Sequence, residues 1–247
     1  MVLIGPSLPL SCIVNNPKQL IFPFQINQKA SFESFFCTPE NELLLSKLTE
    51  AVSSHSHQEL IINGMPAAGK SFILQAICNE LSRAGKELVF VPMSKAIEMS
   101  PKIFQNLSSL DAVCIDDLHL ILSKKEWEVA TFNLINECNQ TGCNIFFSYG
   151  GGKELDEMTI LPDLLSRLKR MEFMTLHAVK DDFLDSAINF ICMQLDINLD
   201  KSELEFLMKR HKRELSSILS DLILLDQNAA SLKRKITIPF IKETLDL

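Results

Sequence analysis

Leu60-Ile61-Ile62-Asn63-Gly64-Met65-Pro66-Ala67-Ala68-Gly69-Lys70-Ser71 decides the fold. A short apolar run stops at a glycine, and five residues later Gly-Lys-Ser opens a helical pattern. This is the complete G-x-x-x-x-G-K-[ST] phosphate-binding loop in its strand–loop–helix setting. The glycines let successive backbone N–H groups converge on phosphate oxygens. Lys70 is expected to neutralise β- and γ-phosphate charge, and the Ser71 hydroxyl to hold Mg²⁺. Gly64, Met65, Pro66, Ala67, Ala68, Gly69, Lys70, Ser71 and Phe72 are therefore the expected contacts to ADP or ATP.

Bulk properties limit what can surround this loop. The chain has 247 residues, of which 47% are apolar, enough for one α/β domain and a smaller appendage. A net charge of −7 argues against non-specific DNA binding over the whole surface but allows local basic patches. The seven cysteines are odd in number and contain no C-x-x-C, as expected of free thiols in a reducing cytoplasm. No apolar run approaches a membrane span. Residues 1–14 are apolar but lack a basic start and are broken by Pro6 and Pro9, so a signal peptide is not expected.

Residues 1–30, with Pro6, Pro9, Pro17 and Pro23, have the pattern of an extended arm. Within it, Gln19-Leu20-Ile21-Phe22-Pro23-Phe24 is held extended around Pro23, presenting Leu20, Phe22 and Phe24 to a partner's groove. Packing of this segment on its own domain is the alternative, and composition alone favours it. Residues 31–175 alternate. Phe32, Phe35 and Phe36 precede a helix with a Leu43, Leu44, Leu48, Val52 stripe; strand 60–63, helix 72–83 and strand 87–93 follow. A weaker helical stretch at 97–107 is broken by Pro101; then come helix 127–139, strand 144–149, a glycine turn at 150–152 and the stretch 161–170. Residues 176–247 have helical patterns only: 183–195, 201–209, 214–226 and 238–245. The expected architecture is a parallel α/β core flanked by helices, then a small all-helical domain.

Asp111-Ala112-Val113-Cys114-Ile115-Asp116-Asp117 is the second informative stretch. A buried strand ending in two acids puts them at the sheet's carboxyl edge, where open parallel sheets bind ligands. Asp116 is expected to hold Mg²⁺ and Asp117 to polarise an attacking water. Alone such a pair is often a solvated strand end; downstream of a phosphate loop it fits a metal-binding pair.

The segments QLIFPF, GMPAAGKS, VCIDDLHL, LPDLLSRL and ITIPFIKETLDL resemble the AAA+ family and, within it, the initiator DnaA and the DnaA-related inactivators of the Hda family. The resemblance runs from residue 19 to 247. It implies a AAA+ P-loop core with a helical lid, and docking of Gln19, Leu20, Phe22 and Phe24 in the hydrophobic pocket of the DNA polymerase III sliding clamp (the β subunit). It also implies that Arg167, in LPDLLSRL, is an arginine finger acting in trans on ATP carried by DnaA; a surface ion pair is the plainer role for such a residue. The implied function is negative regulation of replication initiation, with weak intrinsic ATPase and self-association.

Two departures stand out from that family's pattern. At the end of strand 144–149 the relatives carry Thr and Asp, where this chain has Phe147 and Tyr149; the second sensor arginine falls on Ser216, with Arg213 one helical turn away. Loss of both sensors is expected to weaken hydrolysis more than binding. The basic clusters 209–213 and 233–235 offer a weak DNA contact or, more commonly, solvated helix ends. A helicase-loader ATPase, an initiator or a small-molecule kinase are the competing functions. The last leaves the arm unexplained, and no basic helix-turn-helix follows the lid in the sequence.

Overall fold

A computed structural model of the chain describes residues 24–150, 155, 160–210 and 215–247. Five parallel strands, β1 (Glu59–Asn63), β2 (Leu88–Pro92), β3 (Ala112–Asp116), β4 (Asn144–Tyr149) and β5 (Glu172–Thr175), form one sheet in the order β2-β3-β4-β1-β5. β4 is inserted between β1 and β3, with Ile62 opposite Ser148 and Ile115 opposite Phe147. The ends of β1 and β3, which lead into the phosphate loop and the acid pair, therefore flank the end of β4.

Alternation along the strands sorts the core into two layers. Leu60, Ile62, Phe90, Cys114 and Phe146 face α1 (Glu42–Ser53) and α2 (Lys70–Arg83). Ile61, Val89, Val113, Ile145 and Phe147 face the opposite side, where α4 (Lys125–Thr141) and α5 (Pro162–Leu168) pack after the short α3 (Met93–Ala96). β1 to β4 are apolar on both faces, as a parallel sheet covered by helices requires, whereas the edge strand β5 buries only Met174.

Four helices, α6 (Asp181–Leu195), α7 (Lys201–Arg210), α8 (Leu215–Leu232) and α9 (Ile238–Thr244), form the second unit. Leu184, Ile188, Leu207, Ile218, Leu222, Leu225, Phe240 and Ile241 give it a core of its own. Among the described residues, no helix is long and apolar enough to cross a membrane.

Several local expectations are corrected. The stripe of α1 buries Leu44, Leu48 and Ala51, whereas Leu43 is 70% exposed; the helix starts at Glu42 and turns Leu43 outward. Residues 97–107 are not a helix: Pro101–Phe104 and Leu107–Ser109 are single 3₁₀ turns, the first capped by Ser100 and the second preceded by Asn106 at φ +66°. β5 had no sequence signal strong enough to be expected.

Candidate phosphate-binding site

The loop leaves β1 at Gly64, whose N–H donates to Tyr149 O at 3.3 Å. Ala67 (φ +62°) and Gly69 (φ +98°) take left-handed backbone, curling the loop before α2 begins at Lys70. Met65, Pro66 and Ala67 are exposed at the rim, and Ala68 is buried against α2. A concave run of backbone N–H groups at a helix start is the chemistry of a phosphate cradle.

Lys70 is 7% exposed, and its ammonium donates to Gly64 O at 2.9 Å and Met65 O at 2.8 Å. Burial pushes its pKa below the usual lysine range, opposed by the charges of Asp117 and Asp116. The space it occupies exists because residue 150 is glycine. A Cβ there would stand 2.5 Å from Lys70 Nζ and 3.0 Å from Gly64 O.

Asp116 ends β3 at 5% exposure. Burial raises its pKa, the neighbouring Asp117 adds to that, and hydrogen bonds from Ser148 and Ser71 pull it down. Ser148, wholly buried on β4, donates to Asp116 Oδ1 and accepts the Asp117 N–H at 2.8 Å. Asp117 sits in left-handed backbone at φ +58°, partly exposed.

β4 brings a small polar group to this end of the sheet at Ser148, between the two departures at Phe147 and Tyr149. Phe147 and Tyr149 themselves belong to the α4–α5 face. Ser148 lies between them on the opposite side, in line with Phe146 and Asp116. Strand alternation was the signal that would have found it. His119 was also missed: its Nδ1 is buried without a hydrogen-bond partner among the described residues, and its ring meets Tyr149 edge-on at 6.2 Å. Burial lowers its pKa, with Asp117 opposing.

The donor set fits a nucleotide with Mg²⁺. Ser71 and Asp116 offer the hard oxygens that ion prefers, and no cluster of three or more His, Cys, Asp or Glu side chains able to hold a metal exists among the described residues. A magnesium ion here would draw its remaining ligands from phosphate and water. Beside the loop, Phe72 lies 6.1 Å from Phe35, and Phe36 lies 5.7 Å from Phe190 of α6, so aromatic rings line the seam between core and lid.

The other expected residues stand apart from this site. Arg167 is on α5, partly exposed, and no hydrogen bond or ion pair holds its side chain among the described residues; Leu164 and Leu168 fix the helix from beneath. Phe24 is 7% exposed within the domain's own core, while Gln19, Leu20 and Phe22 lie outside the described residues. The following residues pack on α2, where Asn79 donates to Asn27 O at 2.9 Å and Ala30 O at 2.7 Å. Ser216 is on α8; Arg213 lies outside the described residues. Arg234 pairs with Glu243 at 3.0 Å and lies over Phe240, so one member of the second basic cluster serves the lid itself.

Residues 186–245 match the family model described as "Hda, lid domain". Domain III of the Thermotoga maritima replication initiation protein DnaA superposes with TM-score 0.73 at 16% identity, covering 90% of this chain and 98% of that one. AMPPCP-bound DnaA from Aquifex aeolicus gives 0.65 at 18% identity over 81% of this chain and 66% of that one. The replication initiator DnaA bound to AMPPCP and single-stranded DNA gives 0.64 at 16%, over 84% and 69%. The second unit is thus similar to the lid domain of Hda, and the chain as a whole has the fold of DnaA domain III.

Proposed function

We propose that this chain is a negative regulator of replication initiation that stimulates hydrolysis of ATP carried by a DnaA subunit, with Arg167 as the finger supplied in trans. The observation that carries this reading is the state of Arg167: a permanently charged side chain on a short, firmly packed helix, partly exposed and without a partner among the described residues. A guanidinium so placed can be shared with a neighbour's phosphate, where its fork spreads developing charge in the transition state. The chain's own loop would hold ADP or ATP through Gly64–Gly69, Lys70 and Ser71, with Mg²⁺ on Ser71 and Asp116. That ligand acts mainly to join lid and core, since binding to the folded state alone stabilises it.

Recruitment is assigned to the arm. Gln19, Leu20 and Phe22 dock in the pocket of the polymerase III sliding clamp on DNA. Phe24 joins them only if its own core packing opens. Self-association and weak DNA contact through the exposed Lys233 and Lys235 are secondary parts of the proposal.

A second reading, a AAA+ ATPase such as a helicase loader, gains support from Ser148, a small polar group that joins Asp116 to the backbone of Asp117 beside the loop. One experiment separates the two. Hydrolysis of DnaA-bound ATP is followed on clamp-loaded DNA with the native chain, Arg167→Ala, or Leu20→Ala combined with Phe22→Ala. The arginine variant should lose stimulation by about 10³-fold or more, and the arm variant should lose both stimulation and retention on the clamp. Brisk ATP turnover by the chain alone, with DnaA unaffected, would establish the loader reading instead.

A further inference from the structure

Seven residues make a helix too short to hold its own geometry, so α5 takes its position from what it touches. Leu164 and Leu168, both wholly buried, supply apolar contact with α4. Such contact is strong but non-directional and leaves the roll and slide of the helix loosely set. A directional contact comes from Glu128, in the first turn of α4. Its side chain is almost fully buried, and its two oxygens go to different segments. Oε2 accepts the N–H of Leu161, the residue that caps α5, at 3.2 Å. Oε1 accepts the N–H of Ser123 at 2.6 Å, holding that residue at φ +74°.

Ser123 closes the stretch that runs from Asp117 through the 3₁₀ turn Leu118–Leu120. One buried carboxylate thus ties the segment after the acid pair to the start of the helix that carries Arg167. Hydrogen bonds accepted by a buried carboxylate are directional; the one from Ser123 is short and the one from Leu161 longer, and negative charge at a helix start also suits its dipole.

We propose that Glu128 is a positioning residue for Arg167: it fixes the start of α5 and so sets where the guanidinium is presented. The inference rests on the arginine-finger reading above. Arg167 lies on the turn after Leu164, so a small tilt about Leu161 moves the far end of its long side chain most. Misplacement of a catalytic group by about 1 Å can cost 10²-fold in rate.

The test uses the full chain in the clamp-dependent assay, with Glu128→Ala, Glu128→Gln, Arg167→Ala and the double variant Glu128→Ala/Arg167→Ala. Glu128→Ala should lower the maximal stimulated rate about 10-fold or more, while the concentration giving half-maximal effect stays the same. Glu128→Gln keeps one carbonyl acceptor and should recover part of the rate. In the Arg167→Ala background, removal of Glu128 should change nothing further. Amide hydrogen exchange should rise over 161–168 in Glu128→Ala and stay native in Arg167→Ala.

Native stimulation by Glu128→Ala beside a silent Arg167→Ala overturns this inference alone. An equal loss from Glu128→Ala in both backgrounds, or unchanged exchange over 161–168, does the same, since a merely structural role acts without regard to Arg167. Full stimulation by Arg167→Ala removes the finger reading, and this inference with it.

Discussion

At the carboxyl end of the sheet, Lys70, Asp116 and Ser148 are 7%, 5% and 0% exposed, and each polar group is engaged by another within the site. On α5 the arrangement is reversed: Arg167 is partly exposed and unengaged among the described residues, while the order around it comes from Leu164, Leu168 and the Glu128 carboxylate. Burial strengthens every interaction in the first region, and it makes each charge there costly without its neighbours. The second region leaves one charge in water, where it adds little to its own fold and keeps its hydrogen-bonding capacity for another molecule. On the function proposed above, the comparison teaches that the chain separates two tasks, holding a nucleotide and presenting a cation, onto elements that can be altered independently.

The largest expected effect is a crossed pair of losses. Arg167→Ala should abolish stimulation of DnaA-bound ATP hydrolysis and leave the chain's own nucleotide affinity unchanged in equilibrium titration. Lys70→Ala should weaken that affinity by about 10–100-fold, from about 1.5–3 kcal/mol for hydrogen bonds to a charged group. If both variants lose both properties, the two regions are one functional unit and the comparison fails.

A smaller effect belongs to the loop's first residue. A Cβ at position 64 would sit 2.5 Å from Leu176 O, a backbone atom fixed by the bond from Leu176 N to Asn63 O at 2.7 Å. Neither side can give cheaply, so Gly64→Ala should cost about 1–3 kcal/mol, as overpacking does. Each kcal/mol lowers Tm by about 2–4 °C in a chain of this size. Leu176 leads from β5 towards the lid, so thermal melting without ligand should show the loss directly. An unchanged Tm would mean that the loop and β5 are less tightly joined than the close approach implies.

Much of the candidate site was legible because its residues are contiguous: the loop motif and the acid pair each lie in a single run. β4 was delimited correctly at Asn144–Tyr149, since an apolar run that stops at a glycine turn has few other readings. What escaped depended on contacts between distant segments. Ser148 matters through its register beside Asp116, Gly150 through the lysine that fills the space above it, and Glu128 through two N–H groups that no spacing rule connects to it. β5 is four residues long with one buried position, too little pattern to distinguish from a loop. The lid helices were visible because one apolar core imposes helical spacing on all four.

The smallest effect, and the sharpest probe of the buried region, is the pH dependence at Asp116. Its pKa is raised in the folded chain, chiefly by burial, so the ionised carboxylate is less favourable folded than unfolded. A carboxyl of this kind contributes stability that is fully present below its unfolded pKa and is lost as pH rises through the folded value. At neutral pH the native chain has lost that contribution, and Asp116→Asn, which cannot ionise, has not. Without nucleotide or Mg²⁺, the variant should therefore melt higher than the native chain at pH 7, and the gap should narrow on acidification towards the folded pKa. Excess ADP with Mg²⁺ should reverse the order, because the ion gives the carboxylate the counter-charge it lacks and stabilises only the chain that can bind it. A gap that is constant with pH would place the cost of Asp116 elsewhere than in its ionisation, and the contrast with the solvated Arg167 would lose its electrostatic basis.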